Sequence, residues 1–333
     1  YPKGANLRRP PRLDSLSVAA LVEAMDHPNG WQRDTCQRLL VDRRDPAAVE
    51  PLRRKFNSAA NPKVRLQALC TLDGMESATA EILVAALKDV HPSVREHAVR
   101  MSERALRGED RVALALELIG SLQSRVNDDH LRVRFQLALS LAEWDDARAA
   151  TALAEIARRD STNADMMIAI KSSASRRPAE LFAAVARAGI DAPPLDGLVS
   201  HLVLLTAGQQ GGEPLKQILA TLGQPEEPGG RYAAWQLSAF AQCLQELERN
   251  ARGQPGPSLR NARAMLPALL AAARTLAVDD SVPGATRVTA VGLLGRDADS
   301  EAQDATVLAT LLNPRGALDL QTAALSRLGQ LRS

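Results

Sequence analysis

Aromatic residues are scarce in this chain of 333 residues: Phe, Trp and Tyr together make up 3% of it, whereas hydrophobic residues as a whole make up 45%. The apolar content is therefore mostly Ala, Leu and Val, and long alternating runs of β-branched and polar residues are absent. Such alternation is typical of half-buried strands, whereas Ala and Leu favour helices that pack against helices. A chain of this length is either two globular domains or one elongated array, and the composition favours an array of helices.

Cysteine is also rare. Cys36, Cys70 and Cys243 lie far apart in the sequence, which is unlike a disulfide framework, so we predict that they are small core residues. No stretch approaches the roughly 20 apolar residues that a membrane span needs. Residues 1–12 are polar and basic, without a visible signal peptide. We therefore expect a soluble chain. Because it does not begin with Met, we also expect it to be a segment of a longer protein.

Charge of one sign is lacking as well. The 41 basic and 39 acidic residues leave a formal net charge of +2, and a dedicated nucleic-acid-binding protein usually has a strong basic bias. The chain contains no Gly-x-Ser-x-Gly elbow, no phosphate loop of the Gly-x4-Gly-Lys-Ser/Thr type and no His-Glu-x-x-His. We therefore predict no catalytic residues and no cofactor, and interpret the chain as a non-enzymatic module.

The chain is rich in internal repetition instead. One phrase, in which a polar residue and a proline precede a basic residue that opens an apolar helix, occurs at residues 27–33, 61–65 and 91–95. A fourth copy contains Val133 and Arg134, and a related pair of phrases occupies residues 286–290 and 320–324. Repeats of about 30 to 40 residues are typical of solenoids built from helical hairpins.

Each phrase predicts the start of the second helix in a hairpin. Proline loses no hydrogen bond at the first helical position, because its missing N–H would have no partner there. The spacing of Val94, Ala98, Met101 and Ala105 places them on one face of a helix, so this stripe is expected to be buried. The sequence thus predicts an all-α fold, a right-handed α-solenoid of antiparallel helix pairs of the HEAT/armadillo-like kind.

Stretches rich in glycine and proline divide the chain into four parts. We predict an N-terminal arm or linker at 1–16, regular repeats at 17–188, irregular helical pairs with Gly/Pro-rich loops at 189–257, and further HEAT-like repeats at 258–333. Residues 189–257 could be a hinge between two sub-arrays, although loops alone would explain their composition equally well.

The segment from Leu83 to Leu87, followed by Lys88-Asp89 and by Val94-Arg95, resembles the HEAT-repeat pattern. More narrowly, residues 29–40, 61–72, 91–104 and 132–141 resemble the HEAT segment of bacterial PVC-type membrane-bound dehydrogenase-like proteins. That resemblance covers about residues 7–145. It implies a β-propeller domain before the array, a c-type cytochrome domain after it, and a periplasmic or otherwise extracytoplasmic location. The family attaches haem through Cys-x-x-Cys-His, which this chain lacks, so no haem site is expected here.

The histidines do not predict a metal site. His27 and His91 occupy the same place two repeats apart, and helices pack about 8–10 Å from each other, whereas a metal holds its ligands at about 2 Å. We interpret both as turn residues. The aromatic residues are too dispersed to predict a stacking platform for bases, and core or hinge packing is expected of Trp31, Trp144, Trp235, Phe56 and Phe135.

One arginine recurs at the same position of each repeat: Arg33, Arg65, Arg95 and Arg134. These residues could form a basic track for phosphates, or a structural ladder in which each arginine meets an acidic turn residue such as Asp26, Asp89 or Asp128. The HEAT resemblance favours the ladder.

Outward positions on the second helices are predicted to bind a partner, because these helices usually line the concave face of a solenoid. They are Thr35, Arg38, Gln67, Glu96, His97, Arg100 and Gln136. Their mixed charge favours a protein or a neighbouring domain, such as the propeller or the cytochrome domain, as the partner. The alternative is a nucleic-acid-binding solenoid similar to HEAT-like DNA glycosylases, with Arg38, Arg100 and Arg104 on phosphates. A third hypothesis is an enzyme with an unrecognised pocket in 189–257.

Overall fold

The computed structural model describes residues 11–107, 114–144, 146–189, 193–209, 212–225, 232–251, 255–313 and 316–331, and every regular element within these ranges is a helix. The chain divides into two compact units, Tyr1–Asp145 and Asp146–Ser333. The boundary falls inside the range 17–188 that the sequence assigns to regular repeats. None of the helices in the described ranges is both long and apolar enough to cross a membrane.

Unit 1 contains eight α-helices within its described residues. They are α1 (Val18–Ala24), α2 (Gly30–Arg43), α3 (Val49–Ser58), α4 (Pro62–Gly74), α5 (Ala80–Leu87), α6 (Pro92–Arg107), α7 (Leu114–Ser124) and α8 (Leu131–Ser140). Helices α1, α3 and α5 each pack on the helix that follows, and α7 and α8 both pack on the 3-10 turn Arg125–Asn127 between them. The second helices also form a row of their own, in which α2, α4, α6 and α8 pack in sequence. A second helix therefore contacts its own partner and the second helices of the adjacent pairs.

The recurring phrase marks the start of the second helices, as predicted. The side chains of Asn29 and Asn61 accept hydrogen bonds from the backbone N–H groups of Trp31 (3.0 Å) and Lys63 (3.0 Å). Such bonds satisfy donors that the first turn of a helix would otherwise leave without a partner. Pro62 and Pro92 are the first residues of α4 and α6, where the missing N–H costs nothing.

The buried stripe also lies where the spacing places it. Val94 and Ala98 are completely buried on α6, and Met101 is buried beside them, while the side chain of Ala105 lies outside the described residues. The corresponding stripe of α4, including Val64 and Ala68, is buried as well. Small alanines in these stripes allow the neighbouring helices to approach closely.

Unit 2 contains ten α-helices within its described residues. They are α9 (Ala147–Arg159), α10 (Ala164–Ser173), α11 (Pro178–Ala188), α12 (Pro193–Gly208), α13 (Glu213–Leu222), α14 (Ala234–Asn250), α15 (Pro257–Val278), α16 (Gly284–Val291), α17 (Glu301–Thr310) and α18 (Leu318–Leu328). Helices α9, α11, α13, α15 and α17 pack in one row, and α10, α12, α14, α16 and α18 pack in the other. The helices within 189–257 follow the same alternation as the rest. The predicted fold class, an all-α solenoid of antiparallel helix pairs, is confirmed.

Residues 1–10 of the predicted arm lie outside the described residues. The part that follows forms a 3-10 turn, Leu13–Ser15, whose Leu13 is buried. The guanidinium of Arg43 on α2 donates hydrogen bonds to the backbone oxygens of Asp14 (2.8 Å) and Leu16 (2.7 Å). This end of the predicted arm is therefore attached to the first helix pair.

Trp31 is the exception among the tryptophans. Trp144 is buried, and Trp235 packs edge-on against Phe182 with ring centroids 6.2 Å apart. Trp31 is 60% exposed, so the prediction that it packs in the core or at a hinge is wrong. The physical reason is its place in α2, because the buried residues Cys36 and Leu40 lie on the opposite side of this helix.

Candidate functional site

The recurring arginine of each second helix first holds the turn of its own repeat. Arg65 donates through Nη1 to the backbone oxygens of Ala59 (3.0 Å) and Ala60 (2.9 Å). Arg95 donates in the same way to Asp89 (2.8 Å) and Val90 (3.1 Å). The fixed fork of the guanidinium suits this task, since Nε and Nη2 remain free to bind a second group.

That second group is a carboxylate in the turn of the next repeat. Arg65 binds Asp89 through Nε and Nη2, both at 2.7 Å, and Arg95 binds Asp128 at 2.7 and 2.8 Å. Each carboxylate also accepts a hydrogen bond from a backbone N–H of its own turn, which belongs to His91 for Asp89 and to His130 for Asp128. Consecutive repeats are thus connected by two-pronged charged hydrogen bonds, which are the strong class.

Charge and burial oppose each other at these carboxylates. Burial acts to raise the pKa of Asp89, but the hydrogen bonds from Arg65 and from the N–H of His91 outweigh it and leave that pKa below its usual range. The pKa of Asp128 is lowered in the same way, against its burial, by Arg95 and the N–H of His130. Both groups therefore remain ionised at neutral pH and serve as counter-charges for the arginines.

At the far end of the ladder, Arg134 holds the turn of its own repeat through the backbone oxygen of Asp128 at 2.6 Å. Arg33, at the start of the ladder, differs from Arg65 and Arg95. Arg33 donates to the backbone oxygens of its own turn at 2.8 and 2.9 Å, but its buried Nε has no hydrogen-bond partner in the described part of the chain. The position that Asp89 and Asp128 occupy in later turns is Ala59 in the turn that follows Arg33. Asp26, which the sequence offered as an acidic partner, is exposed and does not pair with Arg33.

Replacing Ala59 with aspartate is expected to complete the ladder. The new carboxylate would meet the Nε of Arg33 and accept from the N–H of Asn61, as Asp89 does for Arg65 and His91. We expect the free energy of unfolding of unit 1 to rise by about 1–2 kcal/mol, since hydrogen bonds to charged groups contribute this much. Thermal unfolding followed by circular dichroism measures the change. Ala60→Asp, one residue further into the exposed turn, is the matched control, and an equal effect of both substitutions would contradict this geometry.

The second-helix face is defined here as the outward side chains of α2, α4, α6 and α8. On α2, Trp31, Thr35 and Arg38 follow one another at helical spacing on one side of the helix. Arg38 is exposed and forms no hydrogen bond or ion pair with any described residue, and the same holds for Arg100 on α6. Thr35 donates its hydroxyl proton to the backbone oxygen of Trp31. Two arginines and a tryptophan are therefore available to a partner on this face.

Two of the predicted partner-binding residues contact neighbouring helices of the array. Gln67 on α4 donates through Nε2 to Asp34 (3.2 Å) and to Gln37 of α2. Glu96 on α6 forms an ion pair at 3.0 Å with Arg132 of α8. Outward position on a single helix did not reveal these contacts, because the neighbouring second helix lies beside part of that outward surface.

The other two predicted residues also have partners within the array. Gln136 donates to the hydroxyl of Ser140 on its own helix (3.1 Å), and that hydroxyl donates to Glu103 of α6 (2.6 Å). His97 donates through Nδ1 to the backbone oxygen of Ser93, one turn earlier, at 2.9 Å.

No group of three or more His, Cys, Asp or Glu side chains in the described residues could hold a metal ion. Burial raises the pKa of the Cys70 thiol to about 11 and that of Cys243 to about 12. Both thiols are therefore protonated and poorly reactive at neutral pH.

Within each unit the helices alternate along the chain between two rows. This is the architecture of a helical-repeat α-solenoid. The chain is similar to an engineered protein, with a TM-score of 0.41 and 14% identity over 95% of this chain and 99% of that one. It is also similar to a chain from a study of a phosphorylation switch that controls the interaction between cadherin and beta-catenin, with a TM-score of 0.39 and 16% identity over 94% and 68%. A designed armadillo repeat protein aligns with a TM-score of 0.29 and 15% identity over 76% and 99%.

No protein-family model matches the chain, and no curated protein matches it either. The fold is therefore evident from the way its helices pack, and not from these similarities. The narrower resemblance to the HEAT segment of PVC-type dehydrogenase-like proteins is not supported by these comparisons.

Proposed function

We propose that this chain is a protein-interaction scaffold, and that the second-helix face of unit 1 is its docking surface. The observation that carries the proposal is the exposure of Trp31, Arg38 and Arg100 on that face. Tryptophan and arginine are the residue types most enriched among those that dominate binding energies at protein interfaces. A tryptophan that is 60% exposed gains a large apolar contact when a partner covers it.

The charges of the face favour a particular kind of partner. Arg104 lies 3.8 Å from Asp73, and Arg132 is paired with Glu96, so these two arginines are already partly neutralised within the array. Arg38 and Arg100 are exposed without such a partner in the described residues. We therefore expect a protein segment that places carboxylates opposite these two arginines and an apolar side chain against Trp31.

The same distribution disfavours the nucleic-acid alternative. Affinity for DNA comes largely from neutralised phosphates, and each neutralised phosphate increases the salt dependence of binding. Of the three arginines that this hypothesis places on phosphates, Arg104 already faces Asp73. Two available arginines would give only weak binding at physiological salt.

The test uses labelled peptides of twelve residues and fluorescence anisotropy. One peptide alternates Glu with Leu and Phe, a second replaces every Glu by Lys, and a 20-base-pair DNA duplex is the third probe. We expect the acidic peptide to bind most tightly. The triple variant Trp31→Ser, Arg38→Gln and Arg100→Gln should weaken this binding at least tenfold, with helix content unchanged by circular dichroism.

Arg54→Gln is the matched control, because Arg54 is an exposed arginine on the first helix of a pair in the same unit. It should leave the peptide affinity unchanged. Equal binding of the acidic and basic peptides, or an affinity that the triple variant does not alter, would contradict the docking surface. Tighter binding to the duplex would favour the nucleic-acid alternative.

We also propose a wider context, which rests on the sequence resemblance of residues 7–145 alone. In this proposal the chain is a non-catalytic spacer or docking segment of a larger, exported dehydrogenase-like protein. It would stand between a β-propeller and a c-type cytochrome domain, outside the cytoplasm. A reading frame with neither a propeller upstream nor Cys-x-x-Cys-His downstream would contradict this context without affecting the docking surface.

A further inference from the structure

Unit 2 contains a cleft of about 610 Å³ whose walls are mostly polar and charged. Helices α14, α15, α17 and α18 and the turn after α16 supply its lining, which includes Glu248, Arg263, Arg296, Asp297, Glu301 and Arg327. Only Gln245 and Glu248 of the lining belong to residues 189–257, where the sequence suggested an unrecognised pocket. The volume is in the range typical of sites for small ligands.

The turn that carries Arg296 is held in one conformation by a buried carboxylate. Asp304 is completely buried, and its Oδ2 accepts from the backbone N–H of Gly295 at 2.7 Å while its Oδ1 accepts from Nε of Arg274 at 2.6 Å. Gly295 has φ +71°, and a Cβ at this position would lie 2.2 Å from Leu331. The turn therefore requires glycine, and Arg296 projects from a fixed piece of backbone.

Arg327 brings a positive charge to the cleft without a matching carboxylate. It donates through Nε (2.9 Å) and Nη2 (2.6 Å) to the backbone oxygen of Leu294, and through Nη1 to the side chain of Gln330. None of the carboxylates in the described part of the chain lies within ion-pair distance of it. All its hydrogen-bond partners in the described residues are neutral, and the carboxylates of Glu248 and Asp304 act on its charge only from beyond ion-pair distance.

Arg296 and Arg263 share a single carboxylate. Glu248 lies 3.3 Å from Nη1 of Arg296 and 3.6 Å from Nη2 of Arg263. The Nε of Arg296 donates to the backbone oxygen of Gly292, and its Nη2 forms no hydrogen bond with any of the described residues. Three guanidinium groups thus border the cleft with one carboxylate paired to them, and they retain N–H donors for a ligand.

The electrostatics agree with this geometry. Burial lowers the pKa of Arg296 more than Glu248 raises it. Burial together with the charge of Arg296 lowers the pKa of Arg327, against the opposing charges of Glu248 and Asp304. Both side chains stay charged at neutral pH because the ordinary pKa of arginine is so high. Their positive charges therefore raise the free energy of the folded protein, and an anion in the cleft would lower it.

We propose that this cleft is a binding site for a small ligand that bears a carboxylate, held between Arg296 and Arg327 with Arg263 at the entrance. Two N–H groups of one guanidinium match the two oxygens of a carboxylate. Phosphate shares this chemistry, but Glu248, Asp297 and Glu301 in the lining repel a dianion more strongly than a single carboxylate. The site lies in unit 2, so it is separate from the docking surface proposed on unit 1.

The experiment follows the full chain with ¹⁵N-labelled arginine by NMR while propionate, which carries a single carboxylate, inorganic phosphate or sodium chloride is added at equal ionic strength. We expect propionate to shift the Nε resonances of Arg296 and Arg327. Propionate at ten times its dissociation constant should raise the thermal unfolding midpoint by about 3 °C, by mass action. Larger shifts with phosphate would overturn the assignment to a carboxylate, and equal shifts with sodium chloride would overturn the site.

Variants separate the site from general charge effects. Arg327→Gln should abolish the propionate-induced shifts, and Arg263→Gln, which alters a half-exposed side chain and leaves the fold intact, should weaken binding about threefold. Arg158→Gln, at an exposed arginine of α9, is the control and should change nothing. If Arg263→Gln and Arg158→Gln had the same effect, the proposal would be wrong. The triple variant of unit 1 should bind propionate normally, so the two proposals can fail independently.

Discussion

Asp128→Ala is expected to destabilise unit 1 by about 3 kcal/mol. The Asp128 side chain is only 1% exposed, and it accepts hydrogen bonds from Arg95, from Arg125 at 3.2 Å and from the N–H of His130. Alanine would leave the guanidinium of Arg95, itself only 12% exposed, without its counter-charge. Losing one partner of a buried pair costs more than the pair contributes, because the remaining charge stays desolvated.

Denaturant unfolding would measure this loss, and hydrogen exchange of the α6 and α8 amides would locate it. Asp129→Ala is the matched control, since Asp129 is the adjacent exposed acid, and it should change stability by less than about 0.5 kcal/mol. The double variant Arg95→Met, Asp128→Leu should recover part of the loss, because it removes both charges and leaves apolar groups. Equal effects of Asp128→Ala and Asp129→Ala would show that the ladder does not contribute to stability.

Asp304→Ala is expected to have an effect of similar size in unit 2, again about 3 kcal/mol. Asp304 is completely buried and is the counter-charge of Arg274, whose side chain is 15% exposed. The substitution also removes the acceptor of the Gly295 N–H, and so releases the turn that carries Arg296. Thermal unfolding measures the change in stability, and a shift of the Nε resonance of Arg296 shows whether the turn has changed its conformation.

Asp299→Ala tests whether the effect is specific, because Asp299 is an exposed acid just before α17. It should leave both the unfolding midpoint and the Arg296 resonance unchanged. If Asp304→Ala lowered the midpoint without moving that resonance, Asp304 would stabilise the core of unit 2 but would not position the turn.

The regular part of the fold could be predicted because its signals are local. The proline and the polar cap at Asn61 and Pro62, and the stripe through Val94 and Ala98, depend only on residues within a few turns of one helix. The partner of Arg65 was also within reach of the sequence, since Asp89 stands at a fixed place in the next turn. The missing partner of Arg33 follows from the same comparison, once Ala59 is seen to occupy that place.

The rest depends on which helices become neighbours. Gln67 and Glu96 point away from the buried stripe of their own helices, but only the packing of the second helices shows that they meet Gln37 and Arg132. The cleft of unit 2 draws on residues from Gln245 to Gln330. The loops of unit 2 vary in length, so no recurring phrase aligns Arg296 with Arg327.

Two of the ladder arginines, Arg65 and Arg95, bind two consecutive turns at once, and this determines where unit 1 begins to unfold. Arg65 and Arg95 each bind their own turn and the next. The second, third and fourth helix pairs of unit 1 therefore cannot separate without leaving a largely buried arginine without its carboxylate partner. Arg33 lacks the contact with the next turn. The ion pairs that join the first pair to the second, Lys55 with Glu23 (2.7 Å) and Arg44 with Glu76 (3.4 Å), involve exposed carboxylates, and exposed ion pairs contribute little to stability. The junction after the first pair is therefore the weakest in unit 1. We expect unfolding by fraying or by force to begin there, and the three pairs beyond it to unfold together.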